Sequence, residues 1–451
     1  MICMTIYDLF FGLFSLAYLP YLVIKGGAHK DFGQRFGRLP DDLRDTGRAR
    51  PVWVHAVSVG EVLAVKDFLK ALKAKLPGKR IVLSTTTKTG NDIARKTLEK
   101  DILKFYFPVD FSFAVKNVIE KVNPSLFIMM ETEIWPNLIS ELAKRRIPAV
   151  LINGRISERS FAGYRRIRFV FADILRKIDL FCMRTETDAE RIRAMGAPGD
   201  RVCVTGNMKF DLKEPEKATK HPVDLVGRRG RRPARPAEAL ASSDLLVAGS
   251  IHRGEEEAVL EVYSRLAKRF TGLKLLIAPR HIDRSPDIKR MAEEAGFKSR
   301  LFSNLKESDR TGSSEDSVFV LDTFGELKKL YGLATVVFMG GSLIKRGGHN
   351  LVEPAIFAKP IAFGPSMFNF RDMAGQFVRN NAAVQVTDKE GLEKALGELL
   401  KDKDARASLG QRAKELIEKN RGATERNLES IFRLVSGTGA AYRAERVSVL
   451  P

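Results

Sequence analysis

The stretch Val52–Val62, VWVHAVSVGEV, places a glutamate, Glu61, where a short apolar run gives way to a helical pattern. A carboxylate there has two readings. It can be a favourable anion in the first turn of a helix, whose N-terminus carries partial positive charge. It can also be a general base, held at the carboxyl end of a strand, where open α/β folds bind their ligands. Ser58 and Gly60 share the turn and stand beside it as candidates for contact with an acceptor. Further along, SLFIMMETEIWPN ends an apolar run with Glu131 and Glu133, which share one face if the strand continues that far. These carboxylates would bind an acceptor hydroxyl or satisfy the amides of the helix that starts at Trp135-Pro136. Arg155 (in LINGRISERS), Arg184 (in CMRTETD) and Lys209 (in TGNMKFD) follow other apolar runs. Acids and bases together suit an acceptor bearing both phosphates and a reacting hydroxyl.

The second half of the chain carries a different set. In VVFMGGSLIKRGGHNLVEPA, Val336–Ala355, an apolar run enters a glycine-rich loop through Gly340 and Gly341 and reaches Asn350, with Glu353 three residues on, as in a capping box. Glycines let backbone N–H groups approach a ligand, and a helix N-terminus offers positive potential to a phosphate. Lys345, Arg346 and His349 would add cationic character. The loop is neither a Walker A motif nor GxGxxG. Three other turns repeat the theme: Gly249, Ser250 and His252 in VAGSIHRGEE; Pro279, Arg280 and His281 in IAPRHIDRSP; Phe324, Gly325 and Glu326 in LDTFGELKKLY. Each alone is weak, an arginine being equally at home in a surface ion pair. Together along one sheet edge they describe a nucleotide-phosphate site with Arg280 as charge clamp. Glu353 would cap the helix or accept from ribose hydroxyls, and it cannot fully do both.

These residues need a scaffold, and the chain between them reads as one. Short β-rich runs (VWVHAV, RIVLSTT, SLFIMM, AVLIN, DLFCMR, VCVTG, then LLVAGS, LKLLIAPR, SVFVLDT, ATVVFMGG, PIAFG) alternate with helical patterns such as Val62, Val65, Leu69, Leu72 and Leu76. That alternation predicts βαβ units, a mainly parallel α/β sheet in each half, and ligands at the carboxyl ends of the strands and in the cleft between the halves. The expected organisation is an N-terminal segment 1–25, a first Rossmann-like domain 26–212, an Arg/Pro-rich crossing 213–243, a second Rossmann-like domain 244–435 and a polar tail 436–451. Segment 1–25 is apolar from Met1 to Ile24 apart from Asp8 and is followed by Lys25, Lys30, Arg35 and Arg38, so it predicts a single membrane anchor with the body on the cytoplasmic side. The crossing contains Arg228, Arg229, Arg231, Arg232 and Arg235, which would touch anionic lipid headgroups or simply be solvated.

A formal charge of +21 over 451 residues favours anionic partners. Nucleic acid is set aside, because no RNP, helix-turn-helix or zinc-finger signature is present. Cys3, Cys182 and Cys203 are odd in number and widely spaced, which predicts reduced thiols rather than a disulfide framework. The six histidines form no HExxH or comparable pattern, and no metal site is expected.

HAVSVGEV, ETEIWPN, NGRISERS, GSIHRGEE, APRH and GGSLIKRGGHNLVEP occur in order along nearly the whole chain. In these segments the sequence resembles the 3-deoxy-D-manno-octulosonic acid (Kdo) transferases of glycosyltransferase family 30. The resemblance implies a GT-B fold of two Rossmann-like domains and Kdo transfer from CMP-Kdo to the tetraacyldisaccharide precursor of lipid A (lipid IVA), in lipopolysaccharide core biosynthesis. It also implies inversion, no catalytic metal or other cofactor, and action at the cytoplasmic face of the inner membrane. It assigns the general base to Glu61, and contacts with CMP to Pro279–Arg280, Phe324–Glu326 and the run Asn350, Leu351, Val352, Glu353. Two other readings stay open beside it: a GT-B enzyme using a UDP-sugar, and a membrane-anchored nucleotide-binding protein without transferase activity. One departure stands out: Gln34 in GQRFG replaces a glutamate usual in relatives and puts in doubt any ion pair made there.

Overall fold

The computed structural model describes residues 7–9, 11–13, 31–44, 49–166, 168–212, 243–305 and 317–437. Most of the expected anchor, the Arg/Pro-rich crossing up to 242 and the tail from 438 lie outside the described residues. Among the described residues no helix is long and apolar enough to cross a membrane. Near the N-terminus, the Asp8 carboxylate accepts from the Ser112 amide at 3.2 Å and from Asn137 Nδ2 at 2.6 Å, and Phe11 meets Phe111 edge-on.

The chain forms two units, Met1–Asp211 with Gly422–Pro451, and Leu212–Arg421. In the first, β1 (Val52–His55), β2 (Ile81–Thr85), β3 (Leu103–Tyr106), β4 (Leu126–Met130), β5 (Ala149–Gly154), β6 (Leu180–Met183) and β7 (Val202–Val204) make one sheet in the order β3-β2-β1-β4-β5-β6-β7. In the second, β8 (Leu245–Ile251), β9 (Lys274–Pro279), β10 (Ser299–Leu301), β11 (Val318–Val320), β12 (Val336–Met339), β13 (Ile361–Phe363) and β14 (Val384–Gln385) follow the order β10-β11-β9-β8-β12-β13-β14. Every pairing is parallel. The expected α/β class is therefore the observed one. Chain direction across each sheet reverses once, between β1 and β4 and between β8 and β12, and such a switch point opens a crevice at the strand ends.

Both faces of the first sheet are covered, and strand alternation divides its core accordingly. Trp53 and Phe127 join one buried cluster, while Val54, Ile128 and Met130 join the other. The helix Val59–Lys75 buries Val62, Val65, Phe68, Leu69 and Leu72 at helical spacing. Gln34 is buried, and its Oε1 accepts the Tyr106 amide at 3.0 Å; an amide oxygen makes this bond as a carboxylate would, so the fold needs no ion pair at that position.

Two features depart from the sequence reading. The second unit ends at Arg421 rather than 435, because the helix Ala423–Val435 packs on the first sheet, with Leu428 and Ile431 in the same cluster as Cys182. Its N-terminus is capped by Asp211, whose carboxylate accepts the amides of Gly422 (2.7 Å), Ala423 (3.2 Å) and Thr424 (2.5 Å). Cys182 and Cys203, 21 positions apart in sequence, face each other across β6 and β7 with sulfurs 3.8 Å apart, both as free thiols.

Candidate functional site

In the first unit, β1 ends at His55 and a short turn leads to Ser58, the residue preceding the helix Val59–Lys75. Ser58 is extended and does not cap the helix with its own hydroxyl. Glu61 reaches back instead: one carboxylate oxygen accepts the Val57 amide at 2.8 Å, and the Ser58 hydroxyl donates to the other at 3.4 Å. Both readings of this glutamate thus have a physical basis, since it satisfies an amide at the helix start and is held in one orientation. It is only 9% exposed. Burial first, then the neighbouring charge of Glu131, pushes it up to about 7. A carboxyl balanced near neutrality is suited to take a proton at physiological pH.

Glu131 follows β4, across the switch point from β1, in left-handed backbone with φ 58. The strand ends at Met130, so Glu131 and Glu133 do not share a strand face as period two predicted. Arg184, at the end of β6 and 8% exposed, donates to the Glu131 carboxylate, and Lys209 Nζ lies 4.0 Å away. Burial alone would raise Glu131, but Arg184, Lys209 and Arg155 together hold it below the usual carboxylate range. The arginine is fixed in turn, its Nε donating to the Asn153 carbonyl at 3.0 Å. Lys209 is pushed down to about 8, by burial and then by Arg184. Glu133 accepts from Trp135 Nε1 at 3.0 Å, and burial raises it. Glu61, Glu131, Arg155, Arg184 and Lys209 are thus electrostatic neighbours drawn from the ends of four strands and the segment after β7. A missed contributor is Gly90: a Cβ there would stand 2.8 Å from the Thr87 hydroxyl and 3.2 Å from the Val57 carbonyl, so the glycine eases the close approach of the next helix to the Glu61 turn.

In the second unit, β8 and β12 run side by side into their loops. Gly249 has no room for a side chain, since a Cβ would lie 2.0 Å from the Tyr331 hydroxyl; Ser250 is left-handed at φ 58. Pro279 closes β9, and the Arg280 amide donates to the Ile251 carbonyl at 2.8 Å, leaving the Arg280 side chain exposed.

The first amides of the glycine loop after β12 are not bare. Those of Gly341 (2.6 Å), Ser342 (3.0 Å) and Leu343 (3.0 Å) all donate to the buried carboxylate of Glu255, as does that of His252 (3.1 Å). An internal carboxylate thus occupies the nest that glycine spacing suggested for a phosphate. Its signal was only the first glutamate of GSIHRGEE, which reads equally as the start of a helix. Gly340 sits where a Cβ would meet the Ser250 carbonyl at 2.7 Å. His252 and His349 share a hydrogen bond, Nε2 to Nε2 at 2.9 Å, with His281 edge-on to His252. His349 does not supply the expected positive charge: burial, then Arg280 and His252, push it down to about 3, so it is neutral at physiological pH.

Asn350 lies one residue before the helix cap, Leu351, and its Oδ1 accepts the Val352 amide at 3.2 Å; the helix is a single turn, Val352–Ala355, and adds little dipole. Glu353 bonds to the Asn350 side chain rather than closing a capping box on the backbone; burial raises it, against Lys328 and Arg280. Leu351 and Val352 are buried. Phe324 is 81% exposed, Gly325 is left-handed, and Glu326 accepts from the Thr323 hydroxyl. Among the described residues no group of three or more His, Cys, Asp or Glu could hold a metal ion.

The fold defines a class first. UDP-GlcNAc 2-epimerase from Neisseria meningitidis, solved bound to UDP-GlcNAc, superposes with a TM-score of 0.58 at 13% identity, over 85% of this chain and 100% of that one. That likeness concerns architecture: two parallel, seven-stranded α/β units of GT-B-like type. Within this class the sequence is specific. The family profile of 3-deoxy-D-manno-octulosonic-acid transferases matches residues 30–212. A 3-deoxy-D-manno-octulosonic acid transferase of Haemophilus influenzae is 32% identical over 380 residues, 84% of this chain and 86% of that protein. A bifunctional glycosyltransferase/methyltransferase of Fusobacterium nucleatum is 33% identical over 82% of this chain, which spans only 55% of that longer relative. The chain belongs to the Kdo transferase family.

Proposed function

We propose that this protein transfers Kdo from CMP-Kdo to the tetraacyldisaccharide precursor of lipid A, with inversion, and that Glu61 is the general base. The observation that carries the reading is Glu61 itself: a buried, oriented carboxyl at the β1/β4 switch point, raised to about 7 beside Glu131. An acceptor hydroxyl is a poor nucleophile. Glu61 takes its proton as the oxygen bonds to the anomeric carbon of Kdo, while the bond from that carbon to the CMP phosphate breaks and the electron pair leaves with CMP. Glu131, with Arg184, Lys209 and Arg155 around it, orients the acceptor, the cations facing its phosphates.

Donor binding falls to the second unit. Arg280, exposed beside the β8 and β9 ends, meets the charge that grows on the leaving phosphate, and Asn350–Glu353 and Phe324–Glu326 frame the nucleotide. The start of the glycine loop contributes shape rather than free amides, because Glu255 already takes those of Gly341, Ser342 and Leu343. No metal is required in this scheme. The protein works at the cytoplasmic face of the inner membrane, held by its apolar N-terminal segment and its positive charge on anionic lipid.

The test is donor choice. The full-length protein in detergent, with the tetraacylated acceptor, is expected to yield a Kdo-bearing product and free CMP from CMP-Kdo. Product from a UDP-sugar and none from CMP-Kdo would assign it to another sugar. Nucleotide binding without any product would favour a binding protein.

A further inference from the structure

We propose that Cys182 and Cys203 form a reversible disulfide site whose closure disturbs the Arg184–Glu131–Lys209 cluster. The register of β6 and β7 sets the two cysteines directly opposite each other, so both side chains leave the same face of the sheet. Their sulfurs are 3.8 Å apart. Neighbouring strands lie about 4.8 Å apart, within the Cα separation that a disulfide spans. β7 is a three-residue strand at the sheet edge, so it can adjust by the small amount that closure requires.

The two thiols are chemically unequal. Cys182 is fully buried, whereas Cys203 is half-buried at the sheet edge, beneath the helix Ala423–Val435, with Ser430 Oγ 3.9 Å from its sulfur. Cys203 is the more accessible thiol, and the bond to Cys182 first, then Ser430, Arg193 and Arg433, lower it against the effect of burial. Cys203 is therefore the nucleophile and Cys182 the resolving thiol. With hydrogen peroxide as oxidant, the Cys203 thiolate attacks one peroxide oxygen, the O–O bond breaks, and with a proton the products are a sulfenic acid and water. Cys182 then attacks the Cys203 sulfur, its proton leaves with the hydroxyl as a second water, and the S–S bond forms.

Both strands lead straight to the acceptor-side charges. Arg184 follows Cys182 by two positions, and the segment after β7 carries Lys209. The amides of Thr205 (2.9 Å) and Gly206 (3.3 Å) donate to the Met183 carbonyl, tying that segment to the residue between Cys182 and Arg184. Any adjustment of β7 against β6 on closure therefore acts on two of the three cations that hold Glu131, Arg184 and Lys209.

The experiment uses full-length protein carrying Cys3→Ser, so that these are the two remaining thiols, treated with a slight excess of hydrogen peroxide. Thiol titration and peptide mapping by mass spectrometry are expected to show two thiols lost per chain, a Cys182–Cys203 linked peptide, and recovery of both thiols with dithiothreitol. Transfer activity, which rests on the Kdo-transfer reading, is expected to fall about tenfold on oxidation and to return on reduction, the scale of a small displacement in a positioned site. Cys203→Ser should abolish both effects while keeping basal activity. Cys203 oxidised to the sulfinic acid with Cys182 unlinked, or both thiols intact, would overturn the site. A linked protein with unchanged transfer would overturn the coupling to Glu131. Mapping decides the link whatever transfer does, so an inactive reduced protein counts against the transferase reading and not against the cysteine pair.

Discussion

Glu61 can be tested at the scale of one residue because its two roles predict opposite signs. Its carboxyl stands at about 7 when folded, against 4.5 for an ordinary exposed glutamate. A raised folded value means that the native state binds more protons between these limits. Stability from this group is therefore fully present below about 4.5 and is lost as pH rises through 7. Glu61→Gln keeps the shape and removes the ionisation, so it is expected to stabilise the protein at pH 8 by about 1–3 kcal/mol and to have little effect at pH 4.5, read by thermal or urea unfolding. A glutamate that served only the helix terminus would instead lose stability on this change at pH 8. As a base it must be ionised, so kcat/KM is expected to rise with pH and level off above about 7, where a flat profile would contradict the role. The position of this residue was legible in the sequence. Its environment was not, because Glu131 and Glu133 arrive from β4, and nothing local to SVGEV says that β4 lies beside β1.

At the scale of elements, the glycine loop and the returning helix carry the clearest consequences. Glu255 ties four amides to one carboxylate, and Glu255→Gln leaves one acceptor oxygen and turns an N–H₂ towards donors. A loss of about 1–3 kcal/mol in stability is expected, together with a raised KM for the donor and a smaller change in kcat. A variant with full stability and unchanged KM would show that the loop does not depend on this carboxylate. Asp211→Ala removes the cap of the helix Ala423–Val435 and is expected to cost about 1–2 kcal/mol; an unchanged melting temperature would argue against it. Apart from the edge strand β7, the strands that sequence patterning found are the buried ones, since a strand covered on both faces reads as a continuous apolar run. β3, β10 and β14 escaped because they are short edge strands with half-exposed positions. The apolar stripe of the Ala423–Val435 helix does not say which sheet will bury it. The cysteine pair escaped for a related reason: adjacency across β6 and β7 is a property of the sheet, invisible in spacing along the chain.

For the whole molecule, the ordered motifs make the family legible in the sequence, and the alternation of strand and helix patterns makes the α/β class legible. The partition of charge is not. A chain of net charge +21 nonetheless gathers carboxylates at its strand ends, with Glu61, Glu131 and Glu133 in one unit and Glu255 and Glu353 in the other. The surplus positive charge is expected to bring the protein to vesicles containing anionic lipid in a salt-sensitive manner, checked by co-sedimentation at low and high ionic strength. Binding insensitive to both lipid charge and salt would contradict that. The central claim, Kdo transfer with Glu61 as base, is met most directly by one comparison: product formed per unit time from CMP-Kdo and the tetraacylated acceptor at pH 8, wild type against Glu61→Gln. Robust product from wild type and a loss of about a hundredfold or more in the folded variant is the predicted result. Equal product from both would contradict it and move the base to another carboxylate.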